Sequence, residues 1–361
     1  MDNTEEMVTM LNHISNPAFF AVDGIITATN EAAAQRQLCV GTDVRSLLVT
    51  GQEEFAQFQQ GTLFLTLQVC DIPSCVSVTR LDNDRMLFEL EQDADQAELQ
   101  HMALVAKTLR IPLADVMTVT SQLFPFSSGD SDPALQAKLA KLNKGLYQIT
   151  RVVCNMSDAY RYSNSAPRTE IREIGSVMQE FFSKGGALIE QSGISLHYTG
   201  LSTPVYTLID SEMLERAVGN ILSNAVKFSQ KGGTVHAQLV QRKKMLYLTV
   251  QDDGTGVPSN QKVSTYSRYR RQPGLEDSRF GVGIGMVLIR QAAAAHGGTV
   301  LLEHGSGYGL RLTMTLPIRQ PSDPNVRSPM IHVDYAGELD HWLLELADCL
   351  PAELYSNDAL N

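Results

Sequence analysis

The sequence lacks the features that would place the chain in or across a membrane. No run approaches the roughly 18 apolar residues that a membrane span needs, and residues 1–6 contain no basic residue of the kind that begins a signal peptide. Its five cysteines form no Cys-x-x-Cys pair, which argues against a disulfide framework and against a zinc site. We therefore expect a cytoplasmic protein with no membrane span.

Positive charge is scarce as well, with 29 Lys and Arg against 40 Asp and Glu and a net charge of −11. Such a chain repels the phosphate backbone, so we expect no nucleic acid among its partners. Because 43% of the residues are hydrophobic, the chain can bury ordinary cores. Its 361 residues exceed the usual size of one domain, and we expect a multidomain α+β protein.

Residues 1–92 contain short apolar runs typical of strands. The predicted strands are Ala18–Val22, Ile25–Thr29, Thr62–Cys70, Cys75–Leu81 and Arg85–Glu91. Asp23-Gly24 is a hairpin turn signal between the first two. Two strands, a helical stretch and a three-strand meander resemble a PAS sensor domain, and the segment "NPAFFAVDGIITATNEAA" carries the resemblance. The alternative is a small fold that only supports dimerisation.

Residues 93–165 change to a helical period. Two series of apolar residues, spaced three and four apart, are separated by the break at Pro125–Pro133. This heptad pattern predicts an antiparallel helical hairpin, with Pro112 bending its first helix. Because a lone hairpin exposes its apolar seam, we expect a homodimer in which two hairpins form a four-helix bundle.

Residues 166–319 mix helical and strand patterns and contain three polar clusters. The first cluster, "DSEMLERAVGNILSNAVKFS", has the apolar spacing of an amphipathic helix and places Asn220 and Asn224 on one face. Lys227 and Phe228 follow one turn later. Two amides on one helical face are also explained by solvation or capping alone.

The second cluster is "LTVQDDGTGVP", in which a predicted strand runs into Asp252 and the glycines Gly254 and Gly256. The third, "FGVGIGMVLIRQAAAAHGG", has glycines at 281, 283 and 285 before a predicted helix. Such a loop can direct N–H groups and a positive helix end at phosphate. Alone, the second cluster is an ordinary turn, and the third is equally well explained by tight helix packing.

Together, the order and spacing of the clusters resemble the N, G1 and G2 boxes of the histidine-kinase branch of the GHKL ATPases. The family's terminal motif follows as "GYGLRLTMTLP", and the resemblance covers about residues 170–318. It implies an α/β-sandwich ATPase domain that binds ATP and Mg²⁺. The clusters are therefore expected to form one nucleotide site.

The resemblance implies a role for each polar residue of that site. Asp252 would accept a hydrogen bond from the adenine amino group, which favours adenine over guanine. Asn224 would ligate Mg²⁺ through its amide oxygen. Asn220 stands at the position that assists phosphoryl transfer, Lys227 would contact phosphate, and Phe228 would lie near the base.

The glycines and a lid complete the implied site. Gly254, Gly256, Gly281, Gly283 and Gly285 would line the nucleotide. The stretch Lys262–Phe280 would form the ATP lid, closing over nucleotide. Within it, "YSRYRR" (Tyr266–Arg271) replaces both phenylalanines of a family motif by tyrosine, and Arg271 keeps the cation that faces phosphate.

The hairpin resembles the phosphoacceptor domain of sensor histidine kinases except at the acceptor. Where the family has H-E-L-R-T-P-L, residues 107–113 read "KTLRIPL", so Lys107 replaces the histidine and Thr108 the acidic residue. A protonated lysine with a reference pKa of about 10.4 is a poor nucleophile at neutral pH. His101 lies six residues away, which turns it about 120° from Lys107 on the helix, so it is a poor substitute.

Three hypotheses remain from the sequence. In the favoured one, the chain is a degenerate kinase that binds ATP and Mg²⁺ and acts as a nucleotide-dependent dimeric scaffold in two-component signalling. In the second, it is an active kinase that phosphorylates an unidentified His, Ser or Thr in itself or in a partner. In the third, it is a dimerisation module without nucleotide. A response regulator is a partner that only the family resemblance implies.

Residues 320–361 begin with a Pro-Ser-Asp-Pro linker. They then contain one predicted amphipathic helix, Glu338–Leu350, with the only tryptophan, Trp342. The pattern suggests no chemistry, and we expect this helix to pack against a neighbouring domain.

Overall fold

The computed structural model describes residues 9–81, 84–90, 93–123, 133–254, 283–305, 308–319 and 339–356. None of the helices within these ranges combines the length and the apolar character that a bilayer crossing requires.

The N-terminal unit is an antiparallel sheet with two short helices. Its elements are β1 (Ala18–Val22), β2 (Ile25–Thr29), α1 (Glu31–Gln35), α2 (Gln52–Gln57), β3 (Thr62–Val69), β4 (Ile72–Arg80) and β5 (Arg85–Leu90). The strand order is β2-β1-β5-β4-β3, so the five predicted strands are confirmed.

Strand β4 begins three residues earlier than the sequence predicts. Val69 pairs with Ile72, which leaves a two-residue turn at Cys70 and Asp71. Both turn residues have positive φ, 49° and 61°. Two central residues with positive φ are characteristic of the type I′ turn, whose twist matches that of the strands and lets β4 start at once.

The helical hairpin is present as predicted. Helix α3 (Asp93–Leu123) and helix α4 (Pro133–Asn164) lie side by side, and Pro112 is inside α3. Several large apolar side chains of the hairpin remain exposed within the chain; they are Leu104, Val105, Leu109, Ile111, Val116, Val119, Leu135, Leu142 and Ile149. The hairpin therefore has an apolar surface that the other described residues of the same chain do not cover.

The third unit is a two-layer α/β sandwich. Its elements are β6 (Glu170–Glu173), α5 (Ile174–Glu190), β7 (Ser195–Thr199), β8 (Tyr206–Ile209), α6 (Ser211–Phe228), β9 (Thr234–Arg242), β10 (Met245–Asp252), α7 (Ile284–Ala295), β11 (Val300–Gly305) and β12 (Tyr308–Pro317). Strands β6 and β8 form a small separate sheet, and the main strands run in the order β11-β12-β10-β9-β7. Apolar residues of the three helices and the main strands form one core.

The two sheets are joined edge to edge. Strand β3 pairs antiparallel with β11, which makes one continuous 10-stranded sheet. Phe64 lies opposite Val300 in this pairing, and the guanidinium of Arg290 lies 4.6 Å from the centre of the Phe64 ring. The N-terminal unit therefore contacts the sandwich directly as well as through the hairpin.

The C-terminal helix is much shorter than predicted. Helix α8 spans only His341–Glu345, with Asp340 accepting a hydrogen bond from the N–H of Leu343 at its start. Residues 346–350 continue as turns, in which the N–H groups of Cys349 and Leu350 both donate to the carbonyl oxygen of Leu346, and Leu346, Ala347 and Leu350 are all buried. The expected packing is confirmed, since α8 contacts α4, α5 and α6.

Candidate nucleotide site

Helix α6 carries the first polar cluster. Its apolar residues face the sheet and are buried; they are Leu214, Ala217, Val218, Ile221, Leu222 and Ala225. The carboxylate of Asp210 caps the helix by accepting from the N–H of Met213 at 3.0 Å. The opposite side presents Asn220, which is buried, and Asn224 and Lys227, which are half-buried. The sequence correctly predicted this helix and its faces.

The amide of Asn220 is fully engaged by protein groups. Its Nδ2 donates to the carbonyl oxygen of Arg216 at 2.9 Å and to Oε2 of Glu345 at 3.3 Å. Its Oδ1 accepts from Nη2 of Arg151 on helix α4 at 3.0 Å. In this arrangement Asn220 links the hairpin and the C-terminal segment to the sandwich.

Asp252 ends strand β10 as a buried carboxylate. Its Oδ1 accepts from the N–H of Gly254 at 2.9 Å and from the N–H of Leu310 at 3.1 Å. Burial raises the pKa of Asp252, and these two hydrogen bonds oppose the rise. Both bonds end on Oδ1, so among the described residues Oδ2 is the oxygen left to accept from a ligand.

The neighbouring Asp253 is exposed and binds a different backbone segment. Its side chain is exposed, and its Oδ2 accepts from the N–H of Thr234 at 2.9 Å. It therefore fastens the start of β9 to the turn. The family resemblance selected Asp252 and not Asp253 as the site residue. The structure buries Asp252 and leaves Asp253 exposed.

Glycines allow three backbone segments to meet around Asp252. A Cβ on Gly254 would lie 2.0 Å from the carbonyl oxygen of Phe228, and a Cβ on Gly309 would lie 2.0 Å from Oδ1 of Asp252. Any larger residue at either position would displace its neighbour. Sequence analysis gave Gly309 no role, although it lies in the quoted "GYGLRLTMTLP" motif.

The third cluster opens helix α7. Gly283 precedes the helix in the left-handed region with φ of 81°, a conformation that favours glycine. A Cβ on Gly285 would lie 2.7 Å from Oδ1 of Asn220, so this glycine permits close contact between α7 and α6. Three predicted site residues, Gly256, Gly281 and Arg271, and the predicted lid Lys262–Phe280 lie outside the described residues.

Lys227 forms an ion pair with the C-terminal segment. Its Nζ lies 2.5 Å from Oδ2 of Asp348, and the same oxygen lies 2.5 Å from Nη1 of Arg151. Burial and the charge of Arg151 lower the pKa of Lys227, while Asp348 opposes this. Burial favours the neutral acid of Asp348, but the charges of Arg151 and Lys227 outweigh it and hold the pKa of Asp348 below its usual range.

A buried charge cluster lies next to these residues. The guanidinium of Arg216 pairs with Glu345 and, at 2.7 Å, with Asp158 of helix α4, and it also donates to Oδ1 of Asn155 at 2.8 Å. Sequence analysis missed this cluster, because Arg216 lies 61 positions from Asn155 and 129 positions from Glu345 along the chain and no local pattern connects them.

The hairpin residues at the position where the family resemblance implies a phosphoacceptor are exposed. Lys107 and Thr108 are at the surface of α3, and His101 is also exposed. The hydroxyl of Thr108 donates to the carbonyl oxygen of Val105 at 2.8 Å, so it is occupied within its own helix. The structure brings Asn220, Lys227 and Gly285 into one region beside α4, whereas Lys107 lies on the other hairpin helix.

Comparison with known proteins agrees with this geometry. Residues 209–320 match the family described as "Histidine kinase-, DNA gyrase B-, and HSP90-like ATPase", and the match includes α6, β10 and α7. Residues 209–320 therefore form an ATPase domain of the GHKL type, the type that histidine kinases contain.

The similar proteins include a histidine kinase and a sensor protein. The chain is 25% identical over 278 residues to hybrid signal transduction histidine kinase D of Dictyostelium discoideum, covering 74% of this chain and 18% of that protein. It is 25% identical over 296 residues to the sensor protein KdpD of Mycobacterium tuberculosis, covering 81% and 34%. The chain thus matches about a fifth to a third of these relatives' lengths. A solved structure, full-length ShkA in complex with AMPPNP, is 18% identical, with a TM-score of 0.49 and coverage of 62% of this chain and 47% of that one.

Proposed function

We propose that the chain is a dimeric signalling scaffold that binds ATP and Mg²⁺ but does not phosphorylate itself at the usual position. The proposal rests on the contrast between the candidate nucleotide residues, which are in place, and the acceptor position, which lacks histidine. Asp252 ends strand β10 and Asn224 lies one turn before the end of helix α6, as the resemblance to a nucleotide site requires, while Lys107 occupies the exposed position of the family's acceptor.

The donor groups suit the proposed ligands. The half-buried amide of Asn224 offers an oxygen of the kind that Mg²⁺ takes beside phosphate oxygens and waters. The buried carboxylate of Asp252 offers an acceptor to the adenine amino group. Gly283 starts a 12-residue helix whose N-terminus can favour phosphate. When bound, Mg·ATP would supply a transferable phosphoryl group and a large local charge.

The same proposal covers the other units. The exposed apolar residues of α3 and α4 support a homodimer built on the hairpin. The antiparallel order β2-β1-β5-β4-β3 supports a PAS-like sensor role for residues 1–92. A response regulator is the partner that we propose for the exposed surface of the hairpin.

The test combines binding with labelling. Purified protein is titrated calorimetrically with Mg·ATP and incubated with γ-labelled ATP, with Asn224→Ala and Asp252→Asn in parallel. We expect wild-type binding, loss of roughly tenfold or more in affinity in each variant because a ligand-directed contact is removed, and no label on the wild type.

The other outcomes select the alternatives. Acid-labile label on the wild type alone would identify an active kinase with a histidine acceptor, and acid-stable label would point to Ser or Thr. Absence of ATP binding by the wild type would overturn the proposal and leave a dimerisation module.

A further inference from the structure

The C-terminal segment, residues 339–356, is seated tightly on the helix that carries the nucleotide residues. A Cβ on Gly219 of α6 would lie 2.7 Å from Cγ of Glu345, and a Cβ on Gly185 of α5 would lie 2.9 Å from the Trp342 ring. The Trp342 ring is also 6.0 Å from that of Phe181. The glycines of both helices therefore form a surface into which this segment fits.

The segment also holds the hairpin. The Nζ of Lys144 donates to the carbonyl oxygen of Leu350 at 2.6 Å, and Nδ2 of Asn143 donates to that of Tyr355 at 2.9 Å. The rings of Tyr147 and Tyr355 are 5.1 Å apart. Helix α4 and the sandwich are thus connected through the same short stretch of chain.

Its two acidic residues differ in accessibility. Glu345 is buried, with 1% of its side chain exposed, and pairs with Arg216. Asp348 is 27% exposed and pairs with Lys227 and Arg151. A deeply buried pair resists separation because one charge would be left unpaired. The cations that Asp348 contacts, Lys227 and Arg151, are only 11% and 5% exposed, so Asp348 leaves Lys227 only when another anion takes its place. Glu345 thus anchors the segment, and Asp348 is the residue that another anion can replace on Lys227.

Space for such an exchange lies beside the pair. A cavity of about 390 Å³ is lined by Lys227, Asp348 and Cys349, together with Ser229 and Lys231. The cavity therefore leaves room beside Lys227 for an anion that replaces Asp348.

We propose that residues 339–356 are an autoinhibitory segment in which the carboxylate of Asp348 takes the place of a nucleotide phosphate on Lys227. The inference rests on the proposed function, since it assigns a regulation to that nucleotide site. When phosphate competes for Lys227, Asp348 loses a partner and its hold on Arg151 of the hairpin weakens. By linkage, ATP and the seated segment oppose each other equally.

The test compares two carboxylate variants of this segment in the full-length protein. Asp348→Asn removes the competing charge, and Glu353→Gln removes one charge from an exposed residue of the same segment. We expect Asp348→Asn to raise the affinity for Mg·ATP about five- to tenfold by calorimetry, and Glu353→Gln to match the wild type.

A second measurement uses the wild type alone and does not depend on the folding of a variant. We expect saturating Mg·ATP to speed hydrogen exchange of backbone amides in residues 341–350. Unchanged or weaker ATP affinity in a folded Asp348→Asn variant, or unchanged exchange in an ATP-saturated wild type, would overturn the inference and leave the proposed function standing. Failure of the wild type to bind ATP would overturn both.

Discussion

At the scale of single residues, burial decides how much an ion pair matters to the stability of the fold. The side chain of Arg216 is 0% exposed and pairs with Glu345 and Asp158, both nearly buried. The side chains of Lys184 and Glu180 are 58% and 55% exposed and form an ordinary pair within one helix. Solvent screens the second pair, whereas removing one partner of the first leaves buried carboxylates without compensation.

We therefore predict that Arg216→Met lowers the free energy of unfolding by about 3–5 kcal/mol. The matched variant Lys184→Met should lower it by less than about 1 kcal/mol. Urea denaturation followed by circular dichroism measures both. Similar effects of the two variants would show that the buried cluster does not stabilise the fold as described.

The buried imidazole of His296 makes stability depend on pH. Its Nε2 accepts from the N–H of Asp210 at 2.9 Å, and its Nδ1 lies 2.7 Å from the carbonyl oxygen of Ala292. Burial lowers the pKa of His296, so the folded state keeps it neutral at a pH where the unfolded chain already binds a proton. This difference removes stability as the pH falls below about 6.5, and the contribution is complete above that value.

We predict that wild-type protein loses more stability between about pH 7.5 and about pH 5.5 than His296→Gln does. The variant lacks the titrating group, so its remaining pH dependence comes from other residues. Urea midpoints at the two pH values give the comparison. Equal losses in both proteins would contradict the role of His296.

At the scale of secondary-structure elements, the hairpin keeps an unsatisfied apolar surface. Leu142 and Ile149 of α4 are 46% and 51% exposed, and they are seven residues apart, the heptad spacing. Apolar surface of this kind is buried in helical bundles by partner helices. A second copy of the hairpin supplies partners of matching length.

We predict that Leu142→Glu combined with Ile149→Glu converts a dimer into a folded monomer. Four carboxylates brought together in the bundle core would repel each other and lose solvation. Sedimentation equilibrium measures the mass, and circular dichroism checks the helices. Lys141→Glu changes the net charge by the same amount at an exposed site and should remain dimeric; a dimeric double variant would place the interface elsewhere.

Local patterns predicted most elements but not their ends. The five N-terminal strands, both hairpin helices and α6 were found from apolar period and turn signals. Strand β4 starts early because Cys70 and Asp71 form a tight turn with positive φ. Neither residue type is a strong sequence signal for that turn. Helix α8 ends at Glu345, although the buried Leu346 and Leu350 keep the i, i+4 spacing of a helix, so the apolar period alone predicts a longer helix than the one that forms.

At the scale of the whole molecule, the sheet junction connects the N-terminal unit to the sandwich. Gly61 precedes β3 with φ of 91°, and a Cβ there would lie 2.0 Å from the carbonyl oxygen of Leu302 on β11. Gly41 also has φ of 91°, but nothing lies within 4 Å of its Cβ position. Both glycines adopt a left-handed backbone in which any other residue would be strained, and they differ in the contact across the junction.

We predict that Gly61→Ala weakens the β3–β11 pairing, whereas Gly41→Ala only adds local strain. The added methyl group at Gly61 must push the strands apart, so amides of residues 300–302 should exchange faster with solvent. Hydrogen exchange with mass spectrometry compares the two variants with the wild type. Equal protection of β11 in both variants would show that the junction does not need a glycine.

The sequence by itself determined most of the helices and strands, because amphipathic period, capping residues and glycine-rich turns act over short distances. The resemblance of its motifs to histidine kinases predicted Asp252 and Asn224 as site residues and Lys107 at the acceptor position. Only the tertiary structure decided which charges meet. Arg151, Arg216, Glu345 and Asp348 come from three segments far apart in the chain, and their pairing depends on burial and on long-range packing, which no local spacing encodes.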